Sequence, residues 1–204
     1  MNKSSFTMYL MKQVFFCINY AIKARKKNCI DIEIQQCINI YLLLGITLEG
    51  VINEICEKEL DTWSWKELEK TSTPLKWKYI SSLKTSFEPS REPLQTIQKI
   101  YRIRNRIAHP KLEELSNDTI LITNSGKIYK NMADNFKLPR GTVYGNYGDY
   151  ISEFNAYSTL ISIKKALSAI NIINKMFYTK NIDNWCEYFN NEIKNIQVEK
   201  NELN

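Results

Sequence analysis

Histidine is almost missing from this chain: His109 is the only one in 204 residues. That excludes most multi-histidine metal centres, and no metal or cofactor is expected. Cysteine is sparse and badly spaced for chemistry. Cys17, Cys29, Cys37, Cys56 and Cys186 are odd in number and form no C-x-x-C pair, which argues against zinc ribbons and thioredoxin-type redox sites. They read as small buried thiols in a reducing compartment. With 6 glycines and 5 prolines the chain is neither collagen-like nor linker-dominated. A clean apolar run at the start is also lacking. Phe6 to Ile22 is interrupted by Lys12, Gln13 and Asn19, and no small-residue cleavage site follows. The segment therefore reads as an amphipathic first helix, without membrane association and with a cytoplasmic location. No internal repeat and no sustained heptad is present.

What remains is the composition of a soluble globular protein, 44% hydrophobic and 25% charged. The length suits a single domain over residues 1–204. Residues 5–28 carry Phe15, Ile18 and Ile22 at helical spacing and end in Lys23, Arg25, Lys26 and Lys27, which suit the negative end of a helix dipole. Asp31 is placed to cap a second long helix over 32–59, with Ile34, Ile38, Leu42, Ile46 and Ile52 as its apolar positions. A short helix is expected from Trp63 to Lys70, another segment opens at Pro74, and Ser86 to Pro93 reads as a loop. A helix then runs from Leu94 to the neighbourhood of Pro110, which ends or bends it.

Residues 111–150 change character, holding four of the six glycines and a Thr119–Tyr129 stretch that alternates around Asn124-Ser125-Gly126. That pattern predicts a β-hairpin within a loop insertion. Helical periodicity returns near Ile151, a last helix spans about Ile182 to Ile196, and a polar tail covers 197–204. The fold class is an all-α antiparallel bundle with one insertion.

The stretch that carries chemistry is Lys99-Ile-Tyr-Arg-Ile-Arg-Asn-Arg-Ile-Ala-His-Pro-Lys111. Lys99, Arg102, Arg104, Arg106 and Lys111 are basic, no acidic residue falls between Pro93 and Leu112, and His109 lies inside the cluster. Basic residues at a helix C-terminus are also what the helix dipole favours, so the cluster alone reads equally as structure. Asn105 and His109, four apart, share a helix face, so Asn105 can hold one imidazole tautomer. Arg104 is long enough to curl towards the imidazole. Arginine binds phosphate through paired donors and histidine titrates near neutral pH, a combination suited to phosphate chemistry.

Arg104-Asn105-Arg106-Ile107-Ala108-His109 resembles the R-N-x-x-x-H signature of the HEPN superfamily, the higher eukaryotes and prokaryotes nucleotide-binding domains. Leu48-Glu49-Gly-Val-Ile-Asn53-Glu54-Ile55 resembles the family's early helix, whose polar residues face the motif helix. Leu75-Lys76-Trp77 ahead of the motif helix is similar to several bacterial members. The resemblance covers about residues 10–112. It implies a helical bundle of HEPN type and a metal-independent ribonuclease of toxin–antitoxin, antiviral-defence or RNA-processing systems, with RNA as substrate and an antitoxin or regulatory protein as partner. In one toxin branch a tyrosine two positions beyond the histidine is modified by a partner nucleotidyltransferase. Lys111 stands there in this chain, which puts that mode of control in doubt.

Metal-free RNA cleavage needs one group to take the 2′-OH proton, another to assist the leaving 5′-oxygen, and positive charge around the phosphorane. One chain supplies one histidine, so a homodimer is expected, with two copies of His109 and Arg104 facing each other across a twofold axis. In that reading His109 transfers protons, Arg104 holds phosphate and Asn105 orients. Lys99, Arg102, Arg106 and Lys111 are the RNA-binding candidates. Glu49 and Asn53 stand behind the site or are simply packing polar groups. Tyr129, Phe136, Tyr144, Tyr147 and Tyr150 with nearby lysines form either a stacking surface for single-stranded RNA, a loop packed by its own rings, or a dimer contact. The alternatives are a non-catalytic HEPN-like module that binds RNA or nucleotide, and a helical interaction protein. No turn and recognition helix of a DNA-binding kind stands out. The net charge of +6 fits a polyanionic partner.

Overall fold

The computed structural model describes residues 6–84, 92–108, 120–122, 128–130, 154–177, 180–194 and 196. Among them the protein is an all-α bundle of seven helices. The first two are long: α1 spans Phe6–Lys26 and α2 spans Ile30–Glu59. Their link is tight because Asn28 takes a left-handed φ of 54°, which asparagine tolerates better than most residues. The Cys29 amide then bonds the Ala24 carbonyl and the Asn28 amide bonds that of Arg25, closing α1 with a Schellman motif. Asp31 is not the cap of α2. It lies inside the first turn, where its charge still favours the dipole, and Cys29 occupies the cap position without a side-chain bond.

Next come α3 at Thr62–Glu69 and α4 at Thr73–Lys84. The Asp61 carboxylate caps α3 by accepting from the amides of Trp63 and Ser64, both at 3.0 Å. α4 is tied to α2 by Trp77, a fully buried ring whose Nε1 donates to the Leu48 carbonyl at 3.1 Å. The motif helix, α5, is Leu94–Ala108 and packs against α2, α4 and α6. Two three-residue strands, Ile120–Ile122 and Ile128–Lys130, pair antiparallel with Leu121 opposite Tyr129.

α6 is Ala156–Phe177 and α7 is Lys180–Lys194. Asn155 caps α6 through its Oδ1, which accepts from the Ser158 amide at 2.8 Å. Glu33, a buried acid, joins three helices: it meets Arg25 at the end of α1 at 3.1 Å and accepts from the Ala156 amide at 2.7 Å. The core is continuous from Met11, Val14 and Ile18 through Ile40, Leu44, Leu48 and Ile52 to Ile97, Ile100, Ile163, Leu167 and Ile170. Phe15 of α1 stacks on Phe189 of α7 at 4.7 Å between ring centroids, closing the bundle on that side.

Candidate functional site

α5 is strongly two-sided, and its period decides where each motif residue goes. Ile97, Ile100, Tyr101 and Ile103 are buried. Arg104 stands three residues from Tyr101 and seven from Ile97, so it continues the inward stripe rather than the solvent face. Arg102 and Arg106 are two residues away on either side, about 160° around the helix from it. Arg102 is exposed and Arg106 half-buried. The basic cluster is therefore split around the helix: Arg104 lies on the side of α2, and Arg102 and Arg106 lie on the other side.

The inward arginine has a prepared seat. Gly45 of α2 faces it so closely that a Cβ at that position would lie 2.9 Å from Arg104 Cγ and 3.4 Å from its Cβ. Glycine there lets the arginine stem lie against the α2 backbone. The guanidinium then turns along α5, and Nη1 donates to Asn105 Oδ1 at 2.9 Å. Arg104 and Asn105 thus act as a pair, with the amide oxygen occupied by a charge-assisted bond.

One turn back, the Tyr101 hydroxyl donates to the Gly45 carbonyl, so the same glycine that seats Arg104 also anchors the helix that carries it. Burial pushes the Tyr101 phenol well above its ordinary range, and the charge of Glu49 adds to this. A hydrogen bond with Thr73 and the positive charge of Arg104 pull the other way. Tyr101, Glu49, Arg104 and Gly45 therefore form one neighbourhood at the α2–α5 contact. Glu49 falls on this side, half-buried. Asn53, one turn further, has a different job: its Oδ1 accepts from Lys76 Nζ at 2.9 Å. Lys76 is only 2% exposed and lies over the Trp65 ring at 5.4 Å. Asn53 and the ring together accommodate a buried cation, so Asn53 serves the α2–α3–α4 packing.

Lys99 lies away from Arg104. It lines an open cleft of about 270 Å³ between the first halves of α5 and α6, with Glu92, Gln95, Thr96, Ser158, Ile161, Ser162 and Lys165. Across the mouth Lys165 Nζ meets Glu92 Oε1 at 2.6 Å, and Thr96 donates to the other oxygen at 2.6 Å. His109 and Lys111, with Pro110 and the aromatic residues proposed from the insertion, lie outside the described residues, apart from the backbone of Tyr129.

Two residues of this neighbourhood were not singled out from sequence. Tyr101 looks like one more apolar position of α5. Gly45 is one of two glycines in a 30-residue helix, and a glycine inside a long helix is itself a signal of close approach. No group of three or more His, Cys, Asp or Glu suited to hold a metal ion occurs among the described residues. Comparison with protein-family models, with curated proteins and with solved structures finds no match to the chain.

Proposed function

We propose that this protein is a metal-independent endoribonuclease of HEPN type, working as a cytoplasmic homodimer and serving as a toxin or defence effector held by a partner. The observation that carries the reading is the Arg104–Asn105 pair in the last turn of α5. Its arginine is seated on Gly45 and its guanidinium is oriented by the amide, within the sequence Arg-Asn-x-x-x-His. A guanidinium held in place by packing stabilises a phosphorane better than a mobile one, because little reorganisation is left for the reaction.

The chemistry assigns His109 of one chain to remove the ribose 2′-OH proton. The O2′–P bond forms and the P–O5′ bond breaks. The second copy of His109 delivers a proton to the departing 5′-oxygen, and Arg104 carries the charge that builds on the non-bridging oxygens. The products are a 2′,3′-cyclic phosphate and a 5′-OH. The strand pair at 120–130 belongs to an insertion over 111–150 in the HEPN-type bundle.

The test uses the purified protein and its His109→Ala and Arg104→Ala variants on single-stranded and structured RNAs in excess chelator. Cleavage by wild type that leaves cyclic phosphate ends, with both variants reduced at least 100-fold, is expected. Equal RNA binding by all three without cleavage by any of them would replace the nuclease by the RNA- or nucleotide-binding module.

A further inference from the structure

The outer face of α1 is unusual. Tyr9, Phe16 and Tyr20 are 51%, 57% and 47% exposed, and Phe6 still more so. Residues 6, 9, 13, 16 and 20 share one face of a helix, so the four rings form a single stripe broken only by Gln13. Over 14 residues that stripe runs about 21 Å. The opposite face, with Met11, Val14, Phe15 and Ile18, is already used by the core. The rings are thus spare apolar surface on a helix whose packing needs are met.

The charge beside the rings is of one sign. α1 has no aspartate or glutamate in its 21 residues. Lys12 lies over the Tyr9 ring at 5.5 Å and Lys23 over the Tyr20 ring at 5.9 Å, while Phe16 and Tyr20 lie 4.8 Å apart at 39°. Lys12 and Lys23 are exposed, and so is Lys26 one turn on, whereas the charge of Arg25 is met by Glu33.

From this juxtaposition we infer that α1 is a docking platform for single-stranded RNA, its bases stacking on Tyr9, Phe16 and Tyr20 and its phosphates meeting Lys12 and Lys23. The inference rests on the nuclease reading for its choice of polyanion and extends it to a substrate class. Planar bases match exposed rings of this spacing, and unpaired strands present base faces that a duplex hides. A second copy of the chain is disfavoured as occupant, because a contact of α1 with its own copy brings together two helices that carry exposed lysines and no acidic residue to meet them.

The rings are exposed, so truncating them leaves the core intact. The experiment uses the full chain carrying His109→Ala, in chelator, so that no probe is cut. Binding of a labelled 20-nucleotide single strand, the matching RNA duplex and phosphatidylserine vesicles is followed by anisotropy and co-sedimentation. The single strand is expected to bind at least tenfold more tightly than the duplex. Phe16→Ala/Tyr20→Ala should weaken it at least tenfold. Lys12→Glu/Lys23→Glu should weaken it and flatten its salt dependence. Unchanged single-strand affinity in both double variants, with circular dichroism confirming the fold, overturns the platform. So do equal affinity for duplex, stripe-dependent binding to vesicles alone, or loss of self-association in the ring variant without loss of RNA. Stripe-dependent binding beside a wild-type chain, His109 intact, that cleaves none of the RNAs supports the platform and sinks the nuclease. A wild-type chain that cleaves, with both double variants binding normally in the His109→Ala background, does the reverse.

Discussion

Arg104 is placed by a neighbour that has no side chain. A methyl group at position 45 would meet Arg104 Cγ at 2.9 Å, tighter than real contacts allow. Against this, alanine is favoured over glycine inside a helix by about 1 kcal/mol. The two effects are of similar size, so Gly45→Ala should leave the unfolding free energy within about 1 kcal/mol of wild type. The arginine must nevertheless leave its seat, and RNA cleavage should fall at least tenfold. Urea titration beside a cleavage assay separates the two, and full activity in this variant would show that the seat does not set the guanidinium. Cys37 makes a second residue-scale prediction. Burial pushes its thiol up to about 12 from an ordinary 9.0, and Cys56 moves the same way, to about 11. Folded-state values that are raised contribute stability that is complete below pH 9 and is lost as pH climbs towards 11–12. Unfolding free energy should be flat from neutral pH to about 8.5 and decline above 9, and Cys37→Ala should make the decline shallower. A slope that Cys37→Ala leaves unchanged would mean the thiol does not supply it.

The helices were largely legible from spacing, but their phase was not always so. α5 reads well because apolar and basic residues alternate sharply along it, and it is helical over Leu94–Ala108 as expected; its predicted end near Pro110 lies outside the described residues. α2 reads poorly. Of the expected Ile34, Ile38, Leu42, Ile46 and Ile52, Ile52 is fully buried, Ile34, Ile38 and Leu42 are half-buried and Ile46 is exposed. The core stripe is Cys37, Ile40, Tyr41, Leu44, Leu48 and Val51. A helix apolar on nearly every side has two plausible stripes, and only its neighbours choose between them. The same apolarity makes α2 the one described helix long and apolar enough to cross a bilayer, although half of that window is buried as bundle core. The α1–α2 contact carries the element-scale prediction. A Cβ on Gly50 would lie 2.4 Å from Cγ2 of Thr7, a buried β-branched side chain whose χ1 is restricted in a helix. Gly50→Ala should cost about 1–3 kcal/mol by separating the helices. Thr7→Ser, which removes that methyl and keeps the hydroxyl, should restore most of it. A double-mutant cycle reads the coupling, and strictly additive effects would place the cost elsewhere.

At the scale of the whole molecule, the candidate site was legible in its residues and not in its division of labour. Arg104 and Asn105 were found because a short motif names them. That Asn53 steadies Lys76, that Tyr101 clamps Gly45 and that Arg102 and Arg106 turn away from Arg104 depend on contacts between α2, α4 and α5 which no local pattern encodes. The single histidine then decides the architecture the chemistry requires. Acid and base act on opposite sides of the scissile phosphate, and one chain has one imidazole for both tasks. If the site is shared, activity follows the dimer population. Sedimentation should give twice the 24.0 kDa chain mass at micromolar concentration. Specific cleavage activity should drop on dilution through the dissociation constant, in proportion to the fraction still paired. An undiluted mixture of wild type with excess His109→Ala should lose activity faster than simple dilution predicts, because mixed dimers carry only one of the two imidazoles. A strictly monomeric chain that retains full cleavage at nanomolar concentration would require a second proton carrier within one copy. Tyr101 is poorly placed for that role, since its phenol is buried, pushed above its ordinary range and already donating to Gly45.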